Sequence, residues 1–284
     1  MSIPTCLEIH SHSTISDGRY EPEEVAEFMK EAGVDLWSLT DHDTVAGCRR
    51  AREAAEALGV GFVSGIEISA DHHGDSIHVL GYGVDIDDPK LGIYGEEMVR
   101  AREDRMAKMV EQMCALGFEV TLEEVLEISG GGNVGRPHLA RALVKRGHVD
   151  QMQQAFDRWL AAGRPGYVAM TRPTVAETID MIREAGGLVV LAHPARYRDL
   201  AGQLSEWKER GLWGLEVRHP SHDREDEARL LAWADRIGLG TTASNDWHGN
   251  HPSEKERLGT VRFPREWREG FCSALQDRGL GTEV

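Results

Sequence analysis

The chain has 284 residues, 40% of them hydrophobic, so it can bury a sizeable core and is not a disordered protein. Its 48 acidic and 32 basic residues give a net charge of −16, which disfavours a protein that holds long nucleic acid by its phosphates. No run approaches the ~20 apolar residues that span a bilayer, and no secretory pattern opens the chain. The four cysteines lie far apart and suggest neither a disulfide framework nor a thiolate zinc site. We therefore expect a globular protein of the cytoplasm.

Short β-rich runs alternate with amphipathic stretches along most of the chain. Helices are predicted at residues 22–32, 44–58, 175–185 and 225–237. Strands are predicted at residues 5–10, 36–40, 61–69, 77–83, 188–192, 214–217, 240–244 and 260–263. This alternation predicts an α/β fold with a parallel sheet, either open or closed into a barrel.

The alternation breaks once, between about Tyr94 and Met170, where no strand is predicted. Met106, Met109 and Met113 recur there at helical spacing, which is typical of core filling. We expect residues 94–170 to form a helical cap inserted into a body made of residues 1–93 and 171–284.

Histidines and carboxylates recur at the ends of the predicted strands. His10 and His12 should point to the same side because strand side chains alternate, and Asp17 follows in a turn-forming Ser-Asp-Gly sequence. The other members of this set are His42, Glu67, His78, His193, Asp246 and His248. Active sites of parallel α/β folds are built at the carboxyl ends of strands, so we expect these side chains to meet.

The set offers nitrogen and oxygen ligands without sulfur, and it is too large for one tetrahedral ion. It predicts two or three divalent ions of the manganese, iron or zinc type, with Glu67 as a bridge because a carboxylate has two oxygens. Clustered metals activate water and stabilise the oxygens of an in-line displacement, which favours phosphate-ester hydrolysis. Amide or lactone hydrolysis would use similar groups.

The order of these motifs resembles that of the PHP (polymerase and histidinol phosphatase) metallophosphoesterases. The motifs are Glu8-Ile9-His10-Ser11-His12-Ser13, Ser16-Asp17-Gly18, Thr40-Asp41-His42-Asp43, Gly65-Ile66-Glu67-Ile68, Ile77-His78, Ala192-His193-Pro194 and Asp246-Trp247-His248. The resemblance implies a distorted (β/α)7 TIM-like barrel with three metals. It assigns one metal to His10, His12, Glu67 and Asp246, a second to Glu67, His78 and His193, and a third to Asp17, His42 and His248. Glu8 stands where the family usually has aspartate, and we expect it to point inward and orient a ligand.

Two segments of the insertion narrow the resemblance to one bacterial branch of the family. They are Gly135-Arg136-Pro137-His138-Leu139-Ala140-Arg141 and Trp159-Leu160-Ala161-Ala162-Gly163-Arg164-Pro165-Gly166-Tyr167-Val168. Members of that branch act on 3′,5′-nucleoside bisphosphates and on short 5′-phosphorylated RNA. The resemblance implies hydrolysis of the 3′-phosphate by a metal-bound hydroxide, with manganese favoured, Glu67 bridging the metals, and His193, His248 or His219 protonating the leaving group.

Several basic residues are candidates for substrate binding. Arg136 and His138 follow a glycine-rich loop whose backbone donors could hold an anion, so we predict that they bind a substrate phosphate. A salt bridge for Arg136 and a helix-start role for His138 are equally acceptable. The further candidates are Arg19, Arg196 and His219.

Two other functions stay open. A histidinol-phosphate phosphatase shares the barrel and the metals, although its single phosphate gives no need for this insertion. A catalytically silent metal-binding PHP module would show lost ligands or fusion to other domains, and neither is seen. We expect a small phosphorylated nucleotide as the partner, with short RNA as a second class, and neither a membrane nor stably bound long nucleic acid.

Overall fold

The structure is a computed structural model that describes residues 3–198, 200–250 and 256–280. It is an α/β fold around one curled sheet with the strand order β1-β2-β3-β4-β5-β6-β7. The strands are β1 (Leu7–Glu8), β2 (Leu36–Leu39), β3 (Gly61–His72), β4 (Asp75–Tyr82), β5 (Leu188–Leu191), β6 (Leu212–Arg218) and β7 (Gly240–Ala243).

The sheet is mixed, so the prediction of a parallel sheet is wrong at one strand. β4 runs antiparallel to both β3 and β5, while the other neighbouring pairs are parallel. His73 and Gly74 join β3 to β4 with φ angles of 54° and 90°. Two consecutive residues with positive φ form the type I′ turn that matches the twist of a hairpin, so β3 returns directly without a crossover helix.

The predicted strand at residues 260–263 is also wrong. This segment forms a turn in which the backbone N–H and the hydroxyl of Thr260 donate to the carbonyl of Arg257 over 2.9 and 2.6 Å. The apolar pattern reflects the burial of Phe263, whose ring packs against Phe271 at a centroid distance of 6.2 Å.

The two ends of the sheet meet just beyond β1 and β7. The N–H of His12 donates to the carbonyl of Trp247 over 2.8 Å, and the N–H of Trp247 donates to the carbonyl of His10 over 3.0 Å. These bonds bring the residues that follow β1 next to the residues that follow β7. Side chains at the carboxyl ends of the first and last strands therefore face one another.

Both faces of the sheet are buried, as expected where helices surround a largely parallel sheet. Val79 and Val189 pack in a cluster with helix residues on one face, and Leu80 and Val190 pack with Phe271 on the other. The helices are α1 (Pro22–Glu31), α2 (Cys48–Leu58), α3 (Pro89–Ala115), α4 (Leu122–Ser129), α5 (Arg136–Lys145), α6 (Met152–Ala155), α7 (Val175–Glu184), α8 (Leu204–Arg210), α9 (Arg224–Ile237) and α10 (Arg265–Gln276). Among the described residues, no helix is long and apolar enough to cross a membrane.

Helices α3 to α6 follow one another between β4 and β5 and have a hydrophobic cluster of their own. We call residues 89–160, which contain these helices, the helical segment. Met106, Met109 and Met113 of α3 are at most 1% exposed in this cluster, so the methionine pattern reflects core packing. The longest helix, α3, begins at Pro89 because Asp88 caps it by accepting hydrogen bonds from the N–H groups of the next turn.

A buried ion pair fastens α3 to the segment that follows β2. The Nε of Arg102 donates to Asp43 Oδ2 over 3.0 Å, while the hydroxyl of Tyr94 and the N–H of Ser69 each donate to Asp43 Oδ1 over 2.7 Å. Burial would raise the pKa of Asp43, but Arg102 and the N–H of Ser69 hold it below its usual range. Asp43 is therefore an ionised group that joins α3, β3 and the strand end of β2.

We expect Arg102→Met to lower the free energy of unfolding by about 3–5 kcal/mol, because it leaves the buried carboxylate of Asp43 without its cation. Arg100→Met, on the same helix, is the matched control. Arg100 pairs with Glu96 where both side chains are more than 70% exposed, and such pairs contribute less than about 1 kcal/mol. Urea unfolding followed by circular dichroism measures both variants, and equal losses would contradict the role given to Asp43.

Candidate metal centre

The structure brings all nine predicted ligands together around one carboxylate. Glu67, in the middle of β3, is fully buried. Its two oxygens lie 3.0–3.3 Å from imidazole nitrogens of His10, His12, His42, His78 and His193. The remaining members lie around the edge, where Asp246 Oδ1 is 3.3 Å from His10 Nε2 and Asp17 Oδ1 is 3.2 Å from His248 Nε2. We call these nine residues the histidine–carboxylate cluster.

Among the described residues, three groups have ligand atoms within 4.8 Å of one another. They are His10, His12, Glu67 and Asp246; His12, Asp17, His42 and His248; and His42, Glu67 and His78. The first group is identical to one of the three ligand sets that the resemblance assigns. The second group contains another of those sets, Asp17, His42 and His248, together with His12. The third contains His42 where the resemblance places His193, although His193 Nε2 is still 3.2 Å from Glu67 Oε1.

Sharp backbone turns at the strand ends aim these side chains inward. His193 and Asp246 have φ angles of 31° and 51°, in the left-handed region that is uncommon for residues with a side chain. The Asp17 loop returns to the strand end at Gly18, where a Cβ atom would lie 2.5 Å from the carbonyl oxygen of His12. Only glycine allows this close approach.

Two residues outside the predicted set hold the ligands in place. Glu216 on β6 is fully buried and accepts hydrogen bonds from His10 Nδ1 over 3.0 Å and from the N–H of His193 over 2.8 Å. The hydroxyl of Tyr197 bonds to His193 Nδ1 over 2.9 Å and accepts from the N–H of His78 over 2.8 Å. Glu216 requires that the His10 proton lie on Nδ1, so Nε2 is left facing Glu67 and Asp246.

Glu8 points inward as expected, but none of its hydrogen bonds in the described part of the chain involves a ligand side chain. It is fully buried and accepts hydrogen bonds from the N–H of Asn245 over 2.9 Å and from the hydroxyl of Ser244. The Ser244 hydroxyl in turn accepts from the N–H of His10 over 2.8 Å. Glu8 therefore holds the backbone at the end of β7 against the strand that carries His10.

The cluster places ionised carboxylates among imidazole rings. Burial would raise the pKa of Glu67, but His42, His10 and His78 hold it well below its usual range. Burial lowers the pKa of His193 to about 3, so this imidazole is neutral. Burial would also lower the pKa of His248, but the carboxylates of Asp17 and Asp246 raise it to about 10. The ionised carboxylates of the cluster favour positive charge beside them, either on a histidine ring or on a bound cation.

The donor set fits divalent metal ions. The buried atoms without a hydrogen-bond partner in the described part of the chain include His10 Nε2, His12 Nε2, His42 Nδ1, Asp17 Oδ1 and Glu67 Oε2. Such atoms are costly to bury unless something binds them. Two ligands about 2.1 Å from one ion, at angles of 90–109°, lie about 3.0–3.4 Å apart. The distances from Glu67 to its five imidazoles fall in this range.

The comparison with known proteins identifies the family. The model of the PHP domain family matches residues 8–217. The chain belongs to the PHP domain family. It is 32% identical over 274 residues to a 3′,5′-nucleoside bisphosphate phosphatase from Chromobacterium violaceum, covering 93% of this chain and 95% of that protein. It is 32% identical over 247 residues to a 5′-3′ exoribonuclease from Escherichia coli, covering 85% of this chain and 84% of that protein.

A solved structure from Bifidobacterium adolescentis, described as a metal-dependent phosphoesterase, superposes with a TM-score of 0.86. The two chains are 32% identical, and the match covers 97% of this chain and 96% of the other. The predicted family is therefore confirmed, and so is the prediction of a phosphoester hydrolase.

Arg136, which is predicted to bind a substrate phosphate, lies beside the histidine–carboxylate cluster of this PHP protein. Arg136 lines a cavity with His42 and His78, and among the described residues no carboxylate lies within 4.0 Å of its guanidinium, so the salt-bridge alternative has no support.

His138 is 1% exposed, and its Nδ1 accepts from the N–H of Gly135 over 2.9 Å. Burial lowers the pKa of His138 to about 4. This bond supports the helix-start role for His138, and binding of substrate by its ring stays a prediction.

The glycine-rich loop at residues 130–135 uses several of its backbone donors within the protein, so those donors are not available to an anion. The N–H of Asn133 donates to the carbonyl of Ile15 over 2.8 Å, and the N–H of Gly132 donates to the carbonyl of Ser129 over 3.1 Å. The side chain of Asn133 donates to the carbonyl of His42 over 2.7 Å. The loop therefore docks the helical segment onto the strand ends that carry the cluster.

The other three predicted substrate-binding residues, Arg196, His219 and Arg19, line two different cavities. Arg196 Nη1 lies 3.7 Å from Asp246 Oδ2, and the buried His219 has its Nε2 3.4 Å from the same oxygen. Both line a cavity of about 260 Å³ next to the cluster. Arg19 is exposed and lines a different cavity with Arg141, so its position gives no support to a role at the cluster.

Sequence reasoning missed Glu216 and three arginines. Glu216 stands in an apolar strand just as Glu67 does, so the same signal was present. Arg102, Arg105 and Arg172 line one cavity with Asp17, His42 and His78, but they come from distant segments and share no local motif.

We expect Glu216→Gln to weaken metal binding by about 10–100-fold, as is usual when an outer partner of a metal ligand is lost. Glutamine offers one acceptor oxygen, so either His10 Nδ1 or the N–H of His193 loses its acceptor. Metal content after dialysis against a graded chelator measures the effect. The exposed Glu53→Gln on α2 is the control, and equal metal retention in the two variants would show that Glu216 has no orienting role.

Proposed function

We propose that this PHP phosphoesterase removes the 3′-phosphate from 3′,5′-nucleoside bisphosphates, with short 5′-phosphorylated oligonucleotides as a second substrate class. The observation that carries the proposal is a groove of about 530 Å³ lined by His78 and His193 of the cluster and by Arg136 and Arg196. Cations on both sides of the cluster suit a small substrate with more than one phosphate. The activities for which the two relatives are named support the same substrate classes.

The net charge of the chain supports a small substrate over a long one. At a net charge of −16, the protein repels an extended polyphosphate chain, whereas arginines confined to a groove can still hold one nucleotide.

We also propose that the curled sheet is the distorted (β/α)7 barrel of residues 1–93 and 171–284, and that residues 94–170 form its cap. The four cysteines carry no disulfide, which fits the proposed location in the cytoplasm.

We propose two or three divalent ions in the histidine–carboxylate cluster, manganese first and iron or zinc as alternatives. When bound, such ions polarise phosphoryl oxygens and lower the pKa of water. The chain's own groups have separate tasks. Glu67 bridges the sets of ligands, Glu216 and Tyr197 orient the rings, and Arg196 balances charge beside Asp246.

We assign proton donation to the leaving oxygen to His219. Its Nδ1 lies 2.8 Å from the hydroxyl of Ser221, which can accept from the protonated ring, so Nε2 can give its proton to the leaving oxygen and leave a neutral imidazole. That buried Nε2 has no hydrogen-bond partner among the described residues and belongs to none of the three ligand groups. His193 and His248 were the other predicted donors. Both lie within the cluster, and His193, with a pKa of about 3, does not hold a second proton.

Substrate identity is tested with manganese-loaded protein and three compounds: adenosine 3′,5′-bisphosphate, a 5′-phosphorylated dinucleotide and histidinol phosphate. We expect adenosine 5′-phosphate as the product from the bisphosphate, with kcat/KM at least about tenfold above that for histidinol phosphate, because an additional charged contact contributes that much. Glu67→Gln is the inactive reference. Equal turnover of histidinol phosphate would favour the histidinol-phosphate alternative, and no release of phosphate from any compound would favour the silent module.

We expect His219→Asn to lower kcat for the bisphosphate by about 10²–10⁴, because the leaving 3′-oxygen then departs without a proton. p-Nitrophenyl phosphate releases an anion that needs no proton, so its turnover should fall far less. His73→Asn, at the exposed turn between β3 and β4, is the control. Equal losses for both substrates would mean that His219 positions the site and does not donate a proton.

A further inference from the structure

Four arginines meet beside the cluster although they come from three separate segments. Arg102 and Arg105 lie on α3, Arg136 is the first residue of α5, and Arg172 lies on the segment that leads to α7. Asp43 neutralises Arg102. For the other three, no carboxylate among the described residues lies within 4.0 Å, so their charges have no protein counter-ion there.

The deepest of these arginines has an unused donor. Arg105 is 6% exposed, and although its Nε donates to the carbonyl of Val168 over 2.7 Å, its Nη2 is buried without a hydrogen-bond partner. Arg172 Nε is buried in the same state in the described part of the chain. Burial and the neighbouring Arg136 and Arg172 lower the pKa of Arg105 to about 9. A buried guanidinium without an acceptor is unfavourable, and an anion would supply one.

Aromatic rings hold two of the arginines in place without neutralising them. The guanidinium of Arg105 lies 5.3 Å from the ring centre of Tyr167, and that of Arg136 lies 5.8 Å from both Tyr167 and Phe156. Contacts with ring faces restrict a guanidinium and leave its N–H donors available. The planar donor fork of arginine matches the oxygens of phosphate better than a single ammonium group does.

The arginines and the cluster line one cavity of about 150 Å³. Arg105, Arg136 and Arg172 form one part of its lining, and Asp17, His42 and His78 of the cluster form another. An anion held by the arginines would therefore lie next to a group bound at the cluster. One small molecule with two phosphates can reach both places.

We infer that Arg105, Arg136 and Arg172 bind the substrate phosphate that is not hydrolysed, which in a 3′,5′-bisphosphate is the 5′-phosphate. This inference rests on the proposed function and adds a specificity site to it. The enzyme then selects nucleotides that carry a 5′-phosphate, and a nucleoside 3′-monophosphate leaves the three charges without a partner. Arg102 takes no part because Asp43 already neutralises it.

The test compares adenosine 3′,5′-bisphosphate with adenosine 3′-phosphate, which lacks only the second phosphate. Arg136→Gln and Arg172→Gln are the variants, chosen because both side chains are only partly buried. We expect each to raise KM for the bisphosphate by about 10–100-fold, as the loss of a charge-assisted hydrogen bond does, and to change kcat/KM for the monophosphate less than about twofold. Arg158→Gln, an exposed arginine between α6 and the end of the helical segment, is the matched control.

A binding measurement separates this inference from the proposed function. Calorimetry on the metal-loaded protein gives the Kd of adenosine 5′-phosphate, which carries only the phosphate that is not hydrolysed. We expect the Kd to rise about tenfold or more in both variants and to stay unchanged in Arg158→Gln. If the wild-type protein hydrolyses neither nucleotide but shows this arginine-dependent binding, the proposed function is wrong and the anion site stands. Parallel losses for both substrates, or unchanged Kd values, would overturn the anion site.

Discussion

The Glu67 carboxylate is the group on which the site depends. It is fully buried in β3, yet five imidazole nitrogens lie within 3.3 Å of its oxygens. An isolated buried carboxylate would be protonated, but His42, His10 and His78 hold the pKa of Glu67 well below the usual range. The arrangement places carboxylate oxygens and imidazole nitrogens where one divalent cation can bind several of them. Glu216, Tyr197 and Glu8 serve this arrangement by holding the rings and the strand ends.

The two linings of the cavity are complementary in charge and come from different parts of the chain. The strand ends supply carboxylates and imidazoles, which bind cations, and helices α3 and α5 supply arginines, which bind anions. A phosphate ester uses both linings, because its oxygens are attracted to the cations that the first lining binds and to the arginines of the second. An acidic protein can therefore act on an anionic substrate when its positive charge is confined to one cavity.

The residues that make up the cluster were predictable because a buried histidine or carboxylate at a strand end is visible in the local sequence. His10 and Glu67 each stand in or directly after an apolar run, and Asp246 follows a predicted strand. The β3–β4 hairpin was missed because His73 and Gly74 form an uncommon pair for a type I′ turn. Phe263 resembled a strand residue because burial against Phe271, not sheet pairing, made its segment apolar.

Features that depend on distant segments could not be read from the sequence. Arg105 and Arg172 are 67 positions apart, and only the packing of α3 against the returning chain brings them together. His138 stands in a motif that suggested phosphate binding, but its Nδ1 accepts from the N–H of Gly135 at the start of its own helix. A local bond of this kind forms with little loss of chain entropy, so it outcompetes a role that needs a precise distant partner.

One turn of α3 connects the attachment of the helical segment to the recognition of the substrate. Arg102 and Arg105 are three residues apart and so lie on the same side of the helix, where Arg102 binds Asp43 and Arg105 faces the cavity. Asp43 directly follows His42 of the cluster. The ion pair therefore fixes the distance between the cluster and the arginines as well as stabilising the fold. A change that loosens it would misplace the anion site relative to the metals without altering any residue that touches either phosphate.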